Sequence, residues 1–436
     1  MEHILLLIKS LNRLLWNGPM LYLLIATHLF LTFRLKFIQK KIFKGIRLST
    51  KSSEDTKGQT SSFAALTTTL AATLGIGNIV GVSTAVAMGG PGAILWLWIT
   101  GILGMATTYG ECYLGIRYRT LAKDGTYSGG PMYVLEHGLK SKPMAVVYAL
   151  LTLCASYGVG CSTQSNSITN VTSSLWGFSP YVIGIIAAVL TGLVILGGIE
   201  SIGNLCKKLV PAMGFFYIAA CMVLVVMNYE YILPAISLIC RSAFLPSAMV
   251  GGFVGSTIKT AARYGVARGL FTNEAGIGTA AIAAASAKTD NPHTQALVSM
   301  SATFWDTVVM CGITGIVIVS NILKNPASVK DIPASDLTTA AFMQLPYGQY
   351  ILGFAIVAFA MATLIGWSYF GERAVVYLFG RDGIATYKLF YILMIFGGAV
   401  LSLDFVWELS DLINALMILP NVLTLWILRK EIKGTE

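Results

Sequence analysis

The feature that most constrains the fold is a succession of eleven long apolar segments separated by short polar stretches. An α-helix needs roughly 20 apolar residues to cross the hydrocarbon core of a bilayer. Because backbone groups must be hydrogen-bonded inside that core, such segments favour helices. We therefore predict an all-α polytopic membrane protein with about eleven transmembrane helices, at residues 14–33, 62–88, 92–116, 144–170, 180–199, 209–228, 250–287, 294–320, 348–378, 387–404 and 406–428.

The composition agrees with a protein surrounded by membrane lipid. Of 436 residues, 55% are hydrophobic and 11% are charged, and the mean hydropathy is +0.72. Soluble domains carry about 25% charged residues. The net charge of +10 does not indicate a nucleic-acid partner, because the basic residues lie between the apolar segments. Seven cysteines and four histidines are dispersed along the chain, so we expect no metal cluster, no organic cofactor and no enzymatic centre.

The distribution of basic residues predicts the orientation. If the N-terminus is outside, 22 of the 30 Lys and Arg residues fall in inner loops and 5 in outer ones. Lys and Arg collect in the cytoplasmic loops of membrane proteins. We therefore expect a multi-pass protein of the cell (inner or plasma) membrane, with an outer N-terminus and a cytoplasmic C-terminus.

Two of the apolar segments are interrupted by the same Gly-Ile-Gly sequence, at residues 75–77 and 276–278. Without the first segment ten remain, and five per half requires the two halves to be inverted relative to each other. We predict an extra N-terminal helix and basic loop at 1–60, a first repeat at 61–230 and a second at 231–436. Gly-interrupted segments in matching positions of two halves indicate a transporter binding site, although close helix packing also favours small residues.

A helix broken within the membrane has chemical consequences. One half-helix offers free amide N–H groups, which suit a carboxylate, and the other offers carbonyl oxygens, which suit Na⁺ or an ammonium group. A zwitterionic amino acid carries both charges, so two facing breaks provide groups for both of its ends.

Acidic residues at membrane depth are functional hypotheses by default. Glu111 is predicted to form a structural ion pair with Arg117. Glu274 lies in the second break, either as a cap or as a substrate ligand. Asp306 either ligates a cation or holds a broken helix in place.

Neutral polar residues give further candidates. Gln164 either binds the charged groups of a substrate or makes an interhelical hydrogen bond. Thr363 and Trp367 are four residues apart and share a helix face. A hydroxyl beside an indole suits a small amino acid, although packing is the alternative for Trp367. Ser368 lies on the neighbouring face and offers a hydroxyl group to Na⁺.

Five stretches carry a resemblance to a known family: residues 75–81, 127–133, 268–278, 304–307 and 371–373. In these stretches the chain resembles the alanine or glycine:cation symporter family, the sodium:alanine symporters. The resemblance implies the leucine-transporter-type fold, a 5+5 inverted repeat with one extra N-terminal helix. It also implies Na⁺-coupled uptake of alanine or glycine, including alanine of either hand, by alternating access.

The resemblance and the oxygen chemistry at the breaks together give the candidate site residues. The substrate-binding candidates are Gly75, Ile76, Gly77, Asn78, Gln164, Phe271, Thr272, Gly276, Gly278, Thr363 and Trp367. The Na⁺ candidates, chosen as oxygen donors at the breaks and on facing helices, are Thr73, Asn78, Thr272, Asp306 and Ser368. Relatives more often have Ser at position 272 and vary at position 76, which bears on substrate choice.

The expected partners are a small amino acid, Na⁺ as the coupling ion and membrane lipid, with the monomer as the functional unit. Two alternatives remain at this point: an H⁺-coupled small amino acid symporter, and an ion channel. Saturable, competable uptake distinguishes a symporter from a channel.

Overall fold

The computed structural model describes residues 2–16, 18–51, 58–121, 126–245, 257–401 and 404–435. Within these ranges the α-helices are α1 Glu2–Trp16, α2 Pro19–Arg34, α3 Ile42–Ser49, α4 Ser62–Thr73, α5 Val80–Gly89, α6 Ala93–Arg117, α7 Pro131–Tyr133, α8 Lys142–Tyr157, α9 Thr163–Trp176, α10 Pro180–Ile195, α11 Gly198–Met227, α12 Tyr229–Ser242, α13 Ile258–Asn273, α14 Thr279–Ala284, α15 Pro292–Thr303, α16 Gly312–Lys324, α17 Leu337–Phe342, α18 Gly348–Phe379, α19 Gly383–Val400 and α20 Asp404–Ile427.

Shorter helical turns join or interrupt these helices. The 3₁₀ turns are Ile38–Lys41, Ile76–Asn78, Pro326–Val329 and Leu428–Lys430. The π-helical segments are Val134–Gly138, Gly158–Ser162 and Phe304–Cys311. Such π segments occur frequently at functional sites, and the last two lie beside the candidate site described below.

Eight helical stretches of the described chain are long and apolar enough to cross a membrane: His3–Arg34, Ala93–Arg117, Lys142–Trp176, Gly198–Met227, Pro292–Lys324, Gly348–Phe379, Gly383–Val400 and Glu408–Lys430. A ninth consists of Ser62–Thr73 and Ile76–Gly89, which meet at an angle of 63°. Helix α10 and the broken pair α13 and α14 occupy the predicted segments 180–199 and 250–287, so each predicted segment coincides with helix. The count of eleven spans and the division into inverted repeats stay predictions. Those predictions also include residues 1, 17, 52–57, 122–125, 246–256, 402–403 and 436, which lie outside the described residues.

The predicted all-α class is confirmed, and one short pair of strands lies in the loop after α6. Strand β1, Thr120–Leu121, pairs antiparallel with β2, Tyr127–Ser128, with Thr120 opposite Ser128. Aromatic and β-branched residues favour such extended pairing. The first predicted segment, 14–33, is also longer in the structure, where the helical stretch begins at His3. Helix α12 was not predicted.

Helix α18 forms the centre of the packing. Its residues from 362 to 375 are all buried, and it packs against α4, α8, α9, α11 and α19. A helix that is buried on every side belongs to the core of a bundle. Peripheral helices instead expose large apolar side chains, among them Leu193, Phe215 and Leu233, each at least 70% exposed. Exposed apolar surface of this kind fits contact with lipid tails.

Candidate functional site

The first helix break lies between α4 and α5. Helix α4 ends at Thr73, and the chain passes through extended backbone at Gly75 before the 3₁₀ turn. Asn78 stabilises this turn because its side-chain oxygen accepts a hydrogen bond from the Gly75 amide at 3.0 Å. The same side chain donates to the Asp306 carboxylate at 2.7 Å. Asn78 thus joins the first break to the π-helical segment Phe304–Cys311.

The second break lies between α13 and α14. Three residues there have positive φ: Glu274 at 55°, Gly276 at 106° and Gly278 at 95°. Glycine adopts this conformation without the steric penalty of a Cβ. Asn273 caps the turn by accepting a hydrogen bond from the Ala275 amide at 2.9 Å.

The two breaks face each other at close range. A Cβ placed on Gly77 would lie 2.8 Å from the Thr272 methyl carbon and 3.3 Å from the Phe271 ring. Real Cβ atoms do not approach other atoms at 2.8 Å. The first break therefore reaches the second only because residue 77 is glycine.

A continuous set of hydrogen bonds joins the breaks on the side of α15. Asn78 donates to Asp306, and Thr307 donates to the other oxygen of the same carboxylate at 2.7 Å. Asn273 in turn donates to the Thr307 hydroxyl at 3.0 Å. Asp306 is completely buried, and no Lys or Arg of the described chain forms an ion pair with it. A buried carboxylate needs a cation or dense hydrogen bonding.

Glu111 on α6 also stabilises the second break. The Glu111 carboxylate accepts hydrogen bonds from the Gly276 amide at 2.8 Å and from Asn421 at 2.7 Å. The prediction that Glu111 pairs with Arg117 is wrong, since Arg117 instead pairs with Glu431 at 2.9 Å. Six helical residues rotate a side chain by roughly 240° around the axis, which places these two on different faces.

A small cavity of about 20 Å³ lies where the two breaks meet α9 and α18. Its lining residues are Ala72, Thr73, Gly75, Ile76, Gly77, Val159, Gln164, Phe271, Glu274, Thr363 and Trp367. We call this the central cavity. A volume of this size holds about one water molecule, so the described conformation is closed around the site.

The Gln164 side chain enters the central cavity with one end anchored and the other open. Its Nε2 donates to the Val159 carbonyl oxygen, which belongs to the π-helical turn Gly158–Ser162, at 3.1 Å. Its Oε1 is buried and has no hydrogen-bond partner among the described residues. Buried polar atoms are nearly always hydrogen-bonded, so this oxygen is an acceptor available to a ligand.

The opposite wall is formed by α18. Trp367 donates its indole N–H to a Glu274 carboxylate oxygen at 3.1 Å, and the other Glu274 oxygen accepts a hydrogen bond from Thr279. The Thr363 hydroxyl lies 2.8 Å from the position of a Cβ on Gly75. The cavity therefore combines a carboxylate, an amide oxygen and a hydroxyl between two aromatic side chains, and none of its lining residues is Lys or Arg.

Seven of the substrate candidates line the central cavity: Gly75, Ile76, Gly77, Gln164, Phe271, Thr363 and Trp367. The other four do not. Asn78 and Thr272 lie beside Asp306, and Gly276 and Gly278 face Glu111 and Asn421.

The cation candidates fall into three places. Asn78, Thr272 and Asp306 lie together, with the Thr272 hydroxyl 3.5 Å from that of Thr307. Thr73 lines the central cavity. Ser368 does not line it, and its hydroxyl donates to the Ile365 carbonyl at 2.7 Å. Only the first group brings three candidates together, and Asn78 turns its Nδ2 toward Asp306 while its Oδ1 accepts from the Gly75 amide.

Several residues of the site were not among the candidates. Asn273 and Thr307 lie in stretches that had been singled out, where their neighbours were chosen instead. Asn421 on α20 and Tyr148 on α8, which donates to the Ile277 carbonyl at 2.7 Å, had no local signal. Only the folded chain brings these helices to the second break.

Comparison with known proteins shows the family of this chain. The sequence matches the profile of the family described as "Sodium:alanine symporter family" over residues 1–435. The chain belongs to the sodium:alanine symporter family. Members of this family are transporters rather than enzymes, and the family predicted from the sequence motifs is confirmed.

Similar members of the sodium:alanine symporter family align over almost their whole length. The sodium/alanine symporter AgcS of Methanococcus maripaludis is 44% identical over 430 residues, covering 97% of this chain and 94% of that protein. An uncharacterized transporter of Haemophilus influenzae is 43% identical over 432 residues, covering 98% and 94%. A Bacillus subtilis protein named "Probable sodium/glutamine symporter GlnT" is 32% identical over 439 residues, covering 99% and 89%.

Solved structures establish the fold of this sodium:alanine symporter family member. MhsT in complex with L-phenylalanine superimposes with a TM-score of 0.60 at 15% identity, covering 85% of this chain and 89% of that one. A Na⁺-coupled sialic acid symporter gives 0.56 at 12% identity, covering 94% and 86%. The predicted leucine-transporter-type fold is confirmed. With the family, this makes the chain a multi-pass, Na⁺-coupled amino-acid symporter.

Proposed function

We propose that this symporter carries alanine and glycine, with alanine of either hand accepted, and moves them with Na⁺ by alternating access. The chemistry of the central cavity carries the proposal. Trp367, Phe271 and Ile76 are bulky residues of its lining, and we infer that in the substrate-bound state they restrict the side chain of the substrate to about a methyl group. The named relatives include both an alanine and a glutamine symporter, so the choice of substrate is made within the family.

The ammonium group of the substrate is assigned to the acceptor side of the cavity. The unpartnered Gln164 Oε1 and the Glu274 carboxylate provide hydrogen-bond acceptors there. The carboxylate is assigned to backbone N–H groups of the half-helices at the breaks, near Gly77, which suit negative charge; the Gly75 amide already donates to Asn78. Thr363 adds a hydroxyl beside Gly75.

Na⁺ is assigned to the oxygens around Asp306. The carboxylate is buried without a cationic side chain, and Asn78 and Thr272 lie within its hydrogen-bond network. A cation there contacts the carboxylate that Asn78 of the first break holds, and the Thr272 hydroxyl of the second break lies within the same network. Its binding therefore stabilises the facing arrangement of the two breaks and prepares the central cavity for the amino acid. Thr73 and Ser368 stay proposals for a second Na⁺ position.

The assigned setting follows from the basic residues of the loops. We place the N-terminus outside and the C-terminus in the cytoplasm of a cell with this protein in its inner or plasma membrane, acting as a monomer. Residues 61–230 and 231–436 are assigned as inverted repeats that move relative to each other during transport.

Uptake into liposomes tests the proposed function. Purified protein in vesicles with an inward Na⁺ gradient is expected to accumulate labelled alanine and glycine, with saturation. Unlabelled L-alanine, D-alanine and glycine should compete, whereas phenylalanine and glutamine should not.

Replacing Na⁺ by K⁺ is the control for coupling. Loss of accumulation supports Na⁺ symport. Accumulation driven by an inward proton gradient alone, without Na⁺, would instead establish the H⁺-coupled alternative, and competition by glutamine in place of alanine would contradict the assigned substrate.

A further inference from the structure

A second cavity, of about 320 Å³, lies between the N-terminal helix α1, helix α13 and helix α20. We call it the charged cavity. Its walls include Lys9, Arg13, Arg263, Arg268, Glu408 and Asp411. Binding sites for small molecules begin at roughly 300 Å³, so the charged cavity can hold a small solute together with water.

The charged cavity leads to the central cavity. Phe271 lines both of them. A third cavity, of about 290 Å³, shares Ile76, Gly77 and Phe271 with the central cavity, and it shares Arg268, Phe271, Glu408 and Asp411 with the charged cavity. Phe271 lines all three cavities, so we infer that its ring lies between a solute in the charged cavity and the helix breaks.

Three polar atoms in the walls of the charged cavity are buried and have no partner among the described residues: Asn12 Oδ1, Trp16 Nε1 and Asn414 Oδ1. Asn12 and Asn414 are only 7% and 5% exposed. The Asn12 Nδ2 group donates to the Glu408 carboxylate at 2.8 Å. The Oδ1 atom of Asn12 is therefore the part of this amide that remains available to a ligand. A buried polar atom without a partner costs about 1–3 kcal/mol, which favours a ligand that pairs with these atoms.

The unpaired atoms and the charges have one ligand chemistry in common. Guanidinium groups such as Arg13 and Arg268 recognise a carboxylate. Asp411 and the Asn414 oxygen accept hydrogen bonds from an ammonium group. A simple carboxylate would leave the Asn12 and Asn414 oxygens unpaired, and a simple amine would leave the Trp16 N–H unpaired. A zwitterion satisfies both sets.

We propose that the charged cavity is a second binding subsite for a zwitterionic α-amino acid, located on the access route to the central cavity. The identity of the amino acid, alanine or glycine, rests on the proposed function. Helix α1 precedes the ten helices of the proposed repeats and contributes Asn12, Arg13 and Trp16. The subsite thus gives the extra N-terminal helix a part in substrate capture.

Equilibrium binding of labelled alanine to the purified full-length protein in Na⁺ tests the subsite. The wild type is expected to bind two alanines per chain. Asn414→Leu should bind one, because it replaces an acceptor of the charged cavity by an apolar group of similar size. Trp16→Phe keeps an aromatic ring but removes the N–H donor together with part of the indole, and it should weaken the second site at least fivefold. Exposed Asn170 provides the matched control Asn170→Leu, which should still bind two.

Two further arms separate this subsite from the central cavity. Gln164→Leu should also bind one alanine, at the charged cavity, and neither propionate nor ethylamine should displace that molecule. Wild-type binding of one alanine, abolished by Gln164→Leu and unchanged in Asn414→Leu and Trp16→Phe, would overturn the subsite and leave the proposed function intact. No alanine binding by the wild type would overturn both. Binding abolished by Asn414→Leu but not by Gln164→Leu would support the subsite and contradict the assigned central site.

Discussion

The amide group of Gln164 shows how one side chain can be both anchored and available. Its nitrogen is held by the Val159 carbonyl of a π-helical turn, while its oxygen opens into the central cavity. The sequence predicted one of two roles for this residue: a substrate ligand, or an interhelical hydrogen bond. The amide nitrogen makes a hydrogen bond, but within the same helical segment and not to another helix. The amide oxygen is the atom that we assign to the substrate.

Gln164→Leu is expected to weaken alanine binding by roughly 10- to 100-fold, because a hydrogen bond to a charged group contributes about 1.5–3 kcal/mol. Binding to the central cavity is measured by isothermal titration in Na⁺. Gln295 provides the matched control, since it is also buried and its Oε1 also lacks a partner in the described parts of the chain, but it lies on α15 outside the cavity lining. Equal weakening by Gln295→Leu would contradict a direct role for Gln164.

Glu111 shows where residue-scale reasoning from the sequence fails. A nearby arginine in the sequence suggested an ion pair, yet helical rotation points the two side chains apart. The actual partners, Gly276 and Asn421, are 165 and 310 residues away. Contacts at such separations depend on the packing of whole helices, and no local pattern around Glu111 indicates them.

At the scale of elements, the two helix breaks were predictable and the π-helical segments were not. Glycine pairs mark positions where backbone can leave helical geometry, and both breaks occur at the Gly-Ile-Gly sequences. A π segment needs only one extra residue per turn and has no comparable residue signature. The prediction therefore located Gln164 and Asp306 near the site without giving the geometry that turns them toward it.

The second break is expected to be intolerant of a Cβ at Gly276. Gly276→Ala should lower the melting temperature of the purified protein by several degrees. The residue has a φ of +106°, and its Cβ would lie 2.5 Å from a Leu24 methyl carbon. Left-handed backbone alone costs a non-glycine residue about 1–2 kcal/mol. Gly81→Ala is the matched control, because that helical glycine has nothing within 4 Å of its added Cβ. A similar loss in both variants would contradict this explanation.

The Asp306 network is expected to carry the dependence on Na⁺. Asp306→Asn keeps the size of the side chain and removes its charge, so the Na⁺ concentration for half-maximal alanine uptake should rise at least tenfold. Asp336→Asn, outside the network at the start of α17, should leave the Na⁺ curve unchanged. An unaltered Na⁺ curve in Asp306→Asn would move the coupling ion to another position, with Thr73 and Ser368 the next to test.

At the scale of the whole molecule, the residues that follow α14 form hydrogen bonds with the chain that precedes α4. The Thr60 amide donates to the Ser286 carbonyl at 3.1 Å, and the Lys288 amide donates to the Thr60 carbonyl at 2.7 Å. Arg119 covers the same place, donating to the carbonyl oxygens of Ala287 at 2.9 Å and Thr289 at 2.5 Å. These contacts seal the side that we propose to be cytoplasmic.

Arg119→Gln is expected to shift the protein toward a conformation open on that side. In a Ser286→Cys background, a membrane-impermeant thiol reagent should modify the cysteine roughly tenfold faster, because charged hydrogen bonds of about 1.5–3 kcal/mol are lost. Arg117→Gln is the matched control. Its ion pair with Glu431 is solvent-exposed, and such pairs contribute about 0–1 kcal/mol. Identical rates in both variants would show that Arg119 does not hold the seal.

Much of the whole-molecule architecture was available from the sequence, since each apolar segment located by hydropathy coincides with helix and the motifs indicated the fold. The conformational state was not available in this way. Closure of the central cavity depends on distances of a few ångströms between Phe271, Trp367 and the glycines, and residue patterns do not contain such distances.

The position of Phe271 between two cavities also separates substrates from blockers. An amino acid small enough for the central cavity leaves the ring free to close over it, and the solute can then be carried. A molecule with the same amino-acid head and a long apolar tail would keep the ring displaced while its tail remains in the charged cavity. Such a compound would occupy the protein without crossing, so the length of the tail, rather than the affinity of the head, decides whether a molecule is cargo or inhibitor.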